Sequence, residues 1–343
     1  MPHPWVNTLL LGFVAVALAS GYFGLTNGDP DKAWILWVHG VVAYAVLAVL
    51  GWKVAVVLRS VRRNRVIGTP RMAFLAMAAL FLFVVASGLV WVHAGRIVFG
   101  PVGLIEMHQI AAAVVGIVLA WHVAMRWGVL RLAPAHDRRA FLRLAVAGAV
   151  GVVLWQGVSG LARLAELPGA RRRFTGSYET GSFTGFFPRV SWFLDDPDAV
   201  APDRWSLIID GLVEREQQLD FDAISALNRD EFDATLDCTG GWYTTQEWSG
   251  VRVGALLSLA GPKEGAGSIE VESVTGYSRR FSMAEAETAL LALSVAGLQL
   301  THGHGAPARL VVPDHRGFDW VKWVRRISVR GGSELWQPPL PLQ

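Results

Sequence analysis

Leu104–Trp127 reads LIEMHQIAAAVVGIVLAWHVAMRW, and no charged residue falls between Glu106 and Arg126. A helix rises 1.5 Å per residue, so about 20 apolar residues cross a hydrocarbon layer about 30 Å thick. The stretch therefore reads as a membrane span that carries two histidines, His108 and His122. Working outward, Trp5–Leu25, Ala33–Leu58 and Met72–Trp91 precede it and Phe141–Leu161 follows, each apolar and of spanning or near-spanning length. The first stretch has neither a basic n-region nor a small-residue cleavage site, so it is not read as a secretion signal. The whole chain fits this picture: 343 residues, 52% hydrophobic, 17% charged, mean hydropathy +0.37. A soluble domain carries roughly 25% charged residues, so the composition argues against a purely soluble protein.

Charge divides the chain. Residues 1–162 hold thirteen Lys and Arg against four Asp and Glu, and residues 163–343 hold eighteen against twenty-four, which leaves the net charge at +3. The basic excess belongs to the loops of a lipid-bilayer half and gives no nucleic-acid signal. Arg59, Arg62, Arg63, Arg65 and Arg71 lie between the second and third spans. Arg126, Arg131, Arg138, Arg139 and Arg143 lie at the junction of the fourth and fifth. The alternate links, Thr26–Lys32 and Ala94–Met107, hold one basic residue each. By the positive-inside rule the N-terminus is cytoplasmic, and the chain leaves its fifth span outside a bacterial cytoplasmic membrane. Asp137-Arg138-Arg139-Ala140-Phe141-Leu142-Arg143 before an apolar helix has the pattern of a twin-arginine export signal, which serves domains folded around a cofactor; a basic flank that merely anchors the helix is the alternative. The single cysteine excludes an internal disulfide.

Six of the nine histidines, His3, His39, His93, His108, His122 and His136, fall in or beside the spans. Ionisable groups there are costly and usually functional. His108 and His122 lie about 40° from one helix face and about 21 Å apart along the axis. His39 matches the depth of His108, and His3 that of His122. With His3-Pro4-Trp5-Val6-Asn7 opening the first span and Val38-His39-Gly40 in the second, the membrane half resembles the four-helix di-haem cytochrome b family. That family includes bacterial cytochrome b561 and the cytochrome b subunits of formate dehydrogenase and nickel–iron hydrogenase. The resemblance implies one or two b haems, His39 with His108 on the outer side and His3 with His122 on the inner, and exchange with quinone or quinol. His93 is the alternative at the outer site, as ligand or propionate contact, and His136 reads as a loop residue.

From Arg204 the chain turns to short alternating strands, among them Trp205–Ile209, Ala234–Cys238 and Ala308–Val312, with helical pieces near Phe221–Leu227 and Met283–Leu293. The expected fold class is a five-helix all-α membrane bundle followed by an α+β, mostly β, domain. Cys238 ends a strand before a Gly-Gly turn. A lone cysteine is most often a small buried hydrophobe; where a ligand can approach the backbone it is also a candidate thiolate ligand for a soft or high-valent metal.

Three segments resemble the sulfite oxidase superfamily, in that family's order over roughly residues 188–329. They are Leu236-Asp237-Cys238-Thr239-Gly240-Gly241-Trp242 with Trp248-Ser249-Gly250-Val251, His304-Gly305-Ala306-Pro307-Ala308-Arg309-Leu310-Val311-Val312-Pro313, and Val321-Lys322-Trp323-Val324. The resemblance implies a molybdenum cofactor, molybdopterin, with Cys238 as metal ligand. His304, Arg309 and Lys322 would grip the pterin and its phosphate, and Thr239, Gly240 and Trp323 would also border it. Sulfite oxidases follow the cysteine with paired arginines, whereas this chain has Gly240-Gly241-Trp242-Tyr243. Substrate-side charge is instead expected from Arg279 and Arg280, close to Tyr277, which stands where the family places a substrate-side tyrosine. Sulfite, methionine sulfoxide and other S- or N-oxides are all candidate substrates, and a soluble redox partner is a further candidate.

The expected plan is a cytochrome b-like membrane domain at 1–135, the twin-arginine-like segment and fifth span at 136–165, a linker at 166–203 and a molybdopterin-binding oxidoreductase domain at 204–343. The enzyme reading has one competitor from another class: a membrane-anchored binding or assembly module that keeps the fold without the metal.

Overall fold

A computed structural model describes residues 4–63, 69–126, 138–191, 195–227, 230–335, 337–338 and 340; His3, Arg65, Arg131 and His136 lie outside them. The chain divides into two compact units, Met1–Leu25 with Pro30–Tyr178, and Thr26–Asp29 with Glu179–Gln343.

The first unit contains α1 (Pro4–Thr26), α2 (Trp34–Arg63), α3 (Thr69–Ala94), α4 (Leu104–Arg126) and α5 (Arg138–Leu164). Each holds a segment long and apolar enough to cross a membrane. A small hairpin, β1 (Val98–Phe99) and β2 (Val102–Gly103), joins α3 to α4. Val6, Leu9, Phe13 and Val14 of α1 pack on Val42, Ala45, Val46 and Val49 of α2, the i, i+3, i+4, i+7 spacing of one helix face. Phe23, Ile117, Trp121 and Val153 are each more than half exposed. Helices with apolar residues on outer as well as inner faces suit lipid rather than water. Small residues let backbones approach: a Cβ on Gly151 of α5 would stand 2.5 Å from the Val41 carbonyl of α2.

The main segment of the second unit begins at Glu179, the last residue of β3 (Tyr178–Glu179). Its elements are β4 (Ser206–Gly211), β5 (Gln217–Asp220), α6 (Phe221–Leu227), β6 (Asp230–Cys238), β7 (Trp242–Arg252), α7 (Val253–Ala260), β8 (Ser268–Ser273), β9 (Ser278–Ser282), α8 (Met283–Thr288), β10 (Leu290–Val295), β11 (Leu298–Gln299), β12 (Arg309–Val311) and β13 (Val324–Arg330). One sheet has the order β5-β4-β13-β8-β9, with β4 and β13 parallel and the other pairs antiparallel. In the other, β7 lies between β6 and β10, and β10 also pairs β11 and β12. This is the α+β, mostly β, domain expected from the sequence. Its core runs through Trp248, Leu256, Ile269, Leu290, Leu310 and Ile327, all essentially inaccessible.

One element differs. The apolar run at 283–293 was expected as one helix, yet α8 stops at Thr288 and Leu290 enters a strand. Leu290–Leu293 are buried on both sheet faces, and a strand covered on both faces loses the alternation that distinguishes it from a buried helix. The start of α8 is set locally by a capping box. Ser282 Oγ accepts the Glu285 N–H at 3.2 Å, and the Glu285 carboxylate accepts the Ser282 N–H at 2.7 Å. Ser282→Ala should therefore lower the stability of this unit by about 1 kcal/mol, read as a lower thermal midpoint with unchanged secondary structure.

Candidate functional site

Cys238 ends β6 because the chain must reverse over Thr239–Gly241. Gly241 takes φ +80°, and its N–H closes the turn on the Cys238 carbonyl at 3.1 Å. The Gly240 N–H points at Cys238 Sγ from 3.4 Å. Asp237, one residue earlier, turns to the opposite side of the strand and is fully buried. Arg316 meets it there: Nη1 donates to Asp237 Oδ1 at 2.7 Å, and Nη2 donates to the Cys238 carbonyl at 3.1 Å. Next to Arg316, Gly317 lies so close to this strand that a Cβ on it would stand 3.5 Å from Cys238 Cα.

Cys238 opens into a cleft at the surface of this unit. Cys238, Thr239, Tyr277, His304, Arg309 and Lys322 all line it. Arg309 is 2% exposed. Its guanidinium lies 5.4 Å from the ring of Trp248 and 5.8 Å from that of Trp320, and donates to the His304 carbonyl at 3.1 Å. Burial brings its pKa down to about 9. Lys322 Nζ donates to the Val190 and Gly303 carbonyls, both at 2.8 Å; burial, with Arg309 nearby, lowers its pKa to about 7. His304 stacks on Phe187 at 4.1 Å between ring centroids, and its Nε2 donates to the Phe187 carbonyl at 3.2 Å. Its pKa is lowered, chiefly by burial. The Tyr277 hydroxyl donates to the Phe318 carbonyl, and burial holds it far above the ordinary phenol range.

The cleft suits an anionic, sulfur-rich cofactor. The Arg309 Nε and Trp320 Nε1 hydrogens are buried without a hydrogen-bond partner among the described residues, and both residues line the cleft. A buried cation with an unanswered donor is costly unless an anion reaches it. A phosphate supplies that anion, and Cys238 supplies the soft ligand a dithiolene-bound metal takes.

Other expected residues stand elsewhere. Trp323 is fully buried behind the cleft, its indole N–H donating to the His302 carbonyl at 2.8 Å. Arg279 is absent from the cleft wall. Its Nε donates to Asp319 Oδ1 at 2.7 Å in a buried pair, and Arg280 pairs with Glu270 at 3.3 Å. Arg279 thus answers a buried carboxylate and Arg280 a part-exposed one, and neither lines the cleft. Arg189 and Asp195 line the cleft instead. They come from the stretch read as a linker, which is tied to the sheet through Thr180 N–H to the Tyr243 carbonyl at 2.9 Å and Gly185 N–H to Gln246 at 3.1 Å. Its aromatic and glycine content was the available signal for a strap across the domain.

The helical unit has its own candidate centre. His39 of α2 and His108 of α4 stand with ring centroids 6.4 Å apart and planes at 86°. His39 Nδ1 bonds the Ala17 carbonyl and His108 Nδ1 the Val84 carbonyl, each at 2.9 Å. A carbonyl only accepts, so each Nδ1 carries the proton and each Nε2 keeps the lone pair that a metal uses. Metal–imidazole bonds of about 2 Å put the centroids of two rings sharing one metal roughly 6 Å apart. Two imidazoles fit an iron whose remaining ligands come from a macrocycle. His93 bonds the Tyr44 hydroxyl at 2.8 Å. His122 is exposed on α4, and its expected partner His3 lies outside the described residues.

Comparison with known proteins agrees with the second unit. Residues 194–334 match the family model described as oxidoreductase molybdopterin binding domain. The chain is 34% identical over 128 residues to the uncharacterized oxidoreductase YuiH of Bacillus subtilis (strain 168), across 36% of this chain and 65% of that protein. It is 29% identical over 148 residues to the protein-methionine-sulfoxide reductase catalytic subunit MsrP of Gluconobacter oxydans (strain 621H), across 37% of this chain and 47% of that one. The sulfane dehydrogenase SoxCD from Paracoccus pantotrophus aligns at a TM-score of 0.38 and 29% identity, covering 39% of this chain and 40% of that chain. The chain thus spans less than two thirds of each of these proteins.

The 313–320 loop over Cys238 is also held from behind. His315 Nδ1 bonds Asp319 at 3.1 Å and Nε2 bonds Glu285 at 2.9 Å. Burial acts to lower the His315 pKa, but these bonds outweigh it and raise it to about 9. A raised histidine pKa stabilises fully below about 6.5, its unfolded value, and the gain is lost as pH rises through 9. His315→Asn should cost roughly 2 kcal/mol near pH 6 and little near pH 10. Melts of both proteins across that range test this: parallel pH curves would refute it.

Proposed function

We propose that the protein is a membrane-bound molybdenum oxidoreductase acting on a small S-oxide, N-oxide or oxyanion, a reading supported by the match of residues 194–334 to the oxidoreductase molybdopterin binding domain. The observation that carries the reading is Cys238 in a cleft whose buried Arg309 has an unanswered donor. In the reducing direction the substrate gives up one oxygen, consumes two electrons and two protons, and releases water; the oxidising direction is the reverse.

When bound, the molybdenum cofactor supplies a two-electron centre for oxygen-atom exchange. Cys238 holds its metal, and Arg309 and Lys322 fix its anionic end. The Gly240 N–H donates toward the Cys238 sulfur, and the Phe187–His304 stack covers one side of the cleft. Tyr277, committed through its hydroxyl to the Phe318 carbonyl, orients that loop and presents its ring to the substrate space. Arg189 is the cation at the exposed rim. MsrP bears the name of a methionine-sulfoxide reductase, so methionine sulfoxide is the first substrate to assay, with sulfite second.

In this reading His39 and His108 would hold a b haem, which would supply one-electron exchange with quinone. The same reading has the N-terminus in the cytoplasm and the second unit outside the bacterial cytoplasmic membrane, and the arginine-rich links support it. The Arg138-Arg139 segment exports that unit already loaded with its cofactor.

Purified full-length protein should contain one molybdenum per chain and one iron, and a second iron would add the inner haem. Cys238→Ser should abolish turnover and leave the haem spectrum intact; an active serine variant overturns the molybdenum assignment. His108→Ala should lose the haem, and unchanged iron content would refute that ligand.

A further inference from the structure

The two membrane imidazoles are anchored by the same arrangement, used twice. His39 Nδ1 lies 2.9 Å from the Ala17 carbonyl and 3.3 Å from Ser20 Oγ. His108 Nδ1 lies 2.9 Å from the Val84 carbonyl and 3.2 Å from Ser87 Oγ. Each serine gives its own proton back along its helix, Ser20 to the Val16 carbonyl at 2.6 Å and Ser87 to the Val84 carbonyl at 3.0 Å. Each oxygen is thereby left to accept from the imidazole N–H. Both serines are buried.

A glycine follows each serine, and its missing side chain makes room for the ring. A Cβ on Gly21 would stand 3.1 Å from His39 Cε1, and a Cβ on Gly88 would stand 3.1 Å from His108 Cε1. The correspondence runs through the sequence. Ala17, Ser20 and Gly21 recur sixty-seven positions later as Val84, Ser87 and Gly88, and His39 recurs sixty-nine positions later as His108. The pairs α1–α2 and α3–α4 therefore present one Ser-Gly clamp each.

We infer that Ser20 and Ser87 are paired positioning residues that set the reduction potential of the iron between His39 and His108. This rests on the haem reading above. Partners on the far nitrogen fix the orientation of a ligating imidazole and raise its basicity. A more basic imidazole donates more charge and favours the ferric state, so removing a serine acceptor favours the ferrous state. The two clamps match, so the two serines act with equal weight.

Ser20→Ala, Ser87→Ala and the double variant in the full-length protein test this, with Ser→Thr at each position to restore a hydroxyl. Alanine is the most favourable helix residue, so helical circular dichroism should be unchanged. Redox titration of the haem absorbance should show an upward midpoint shift of similar size in each alanine variant, their sum in the double, and a return toward wild type with threonine. Each single shift should correspond to a several-fold change in the ferric–ferrous ratio. Haem-loaded alanine variants at the wild-type potential, or threonine variants shifted as far as alanine, overturn the inference alone. A response at one serine only overturns the pairing. Wild-type protein without haem overturns the haem reading and this inference with it.

Discussion

The carboxylate of Asp237 has no contact with water, and the guanidinium of Arg316, 3% exposed at its side chain, lies 2.7 Å away. Removing one member of such a pair strands a buried charge, at a cost of about 3–5 kcal/mol. The contact therefore locks the end of β6 to the 313–320 loop, and the cleft follows from it. Cys238 adjoins Asp237, and its carbonyl takes the second Arg316 amine. Gly317, next to Arg316, packs against Leu236 and Cys238, and Phe318 gives its carbonyl to Tyr277. A second set of charges, Arg279–Asp319–His315–Glu285, holds the other side of the same loop. Buried pairs are weak sources of net stability, but they strongly penalise any arrangement that separates them.

The helical unit obeys a related constraint with neutral groups. An imidazole N–H among apolar helices must find an acceptor, since no water competes for it. The neighbouring helix supplies a carbonyl and a serine oxygen, and a glycine clears space for the ring. Satisfying one nitrogen in this way selects the tautomer that leaves the other for a metal.

Much of this was legible in the chain itself. The spans follow from runs of apolar residues, and transfer from water to lipid is a property of each segment. The pairing of His39 with His108 follows from their depth along helices of known rise. Cys238, Arg309 and Lys322 were picked out by short motifs, and all three meet in the cleft. Arg279 also sits near a motif, yet its charge is taken by Asp319, forty positions away. Nothing local distinguishes an arginine that faces a cleft from one that neutralises a buried carboxylate.

The sequence by itself determined the division into a half of long apolar helices and a strand-rich half, the class of each fold, and the positions of the single thiol and of the helix histidines. These rest on hydropathy and periodicity over neighbouring residues. Only the tertiary structure decided that Arg316 seats the loop on Cys238, that Arg189 and Asp195 of an apparent linker border the cleft, that Leu290–Val295 is a strand, and that His122 faces outward. Each of these depends on which groups lose water against which distant partners, and desolvation is settled only when the whole domain closes.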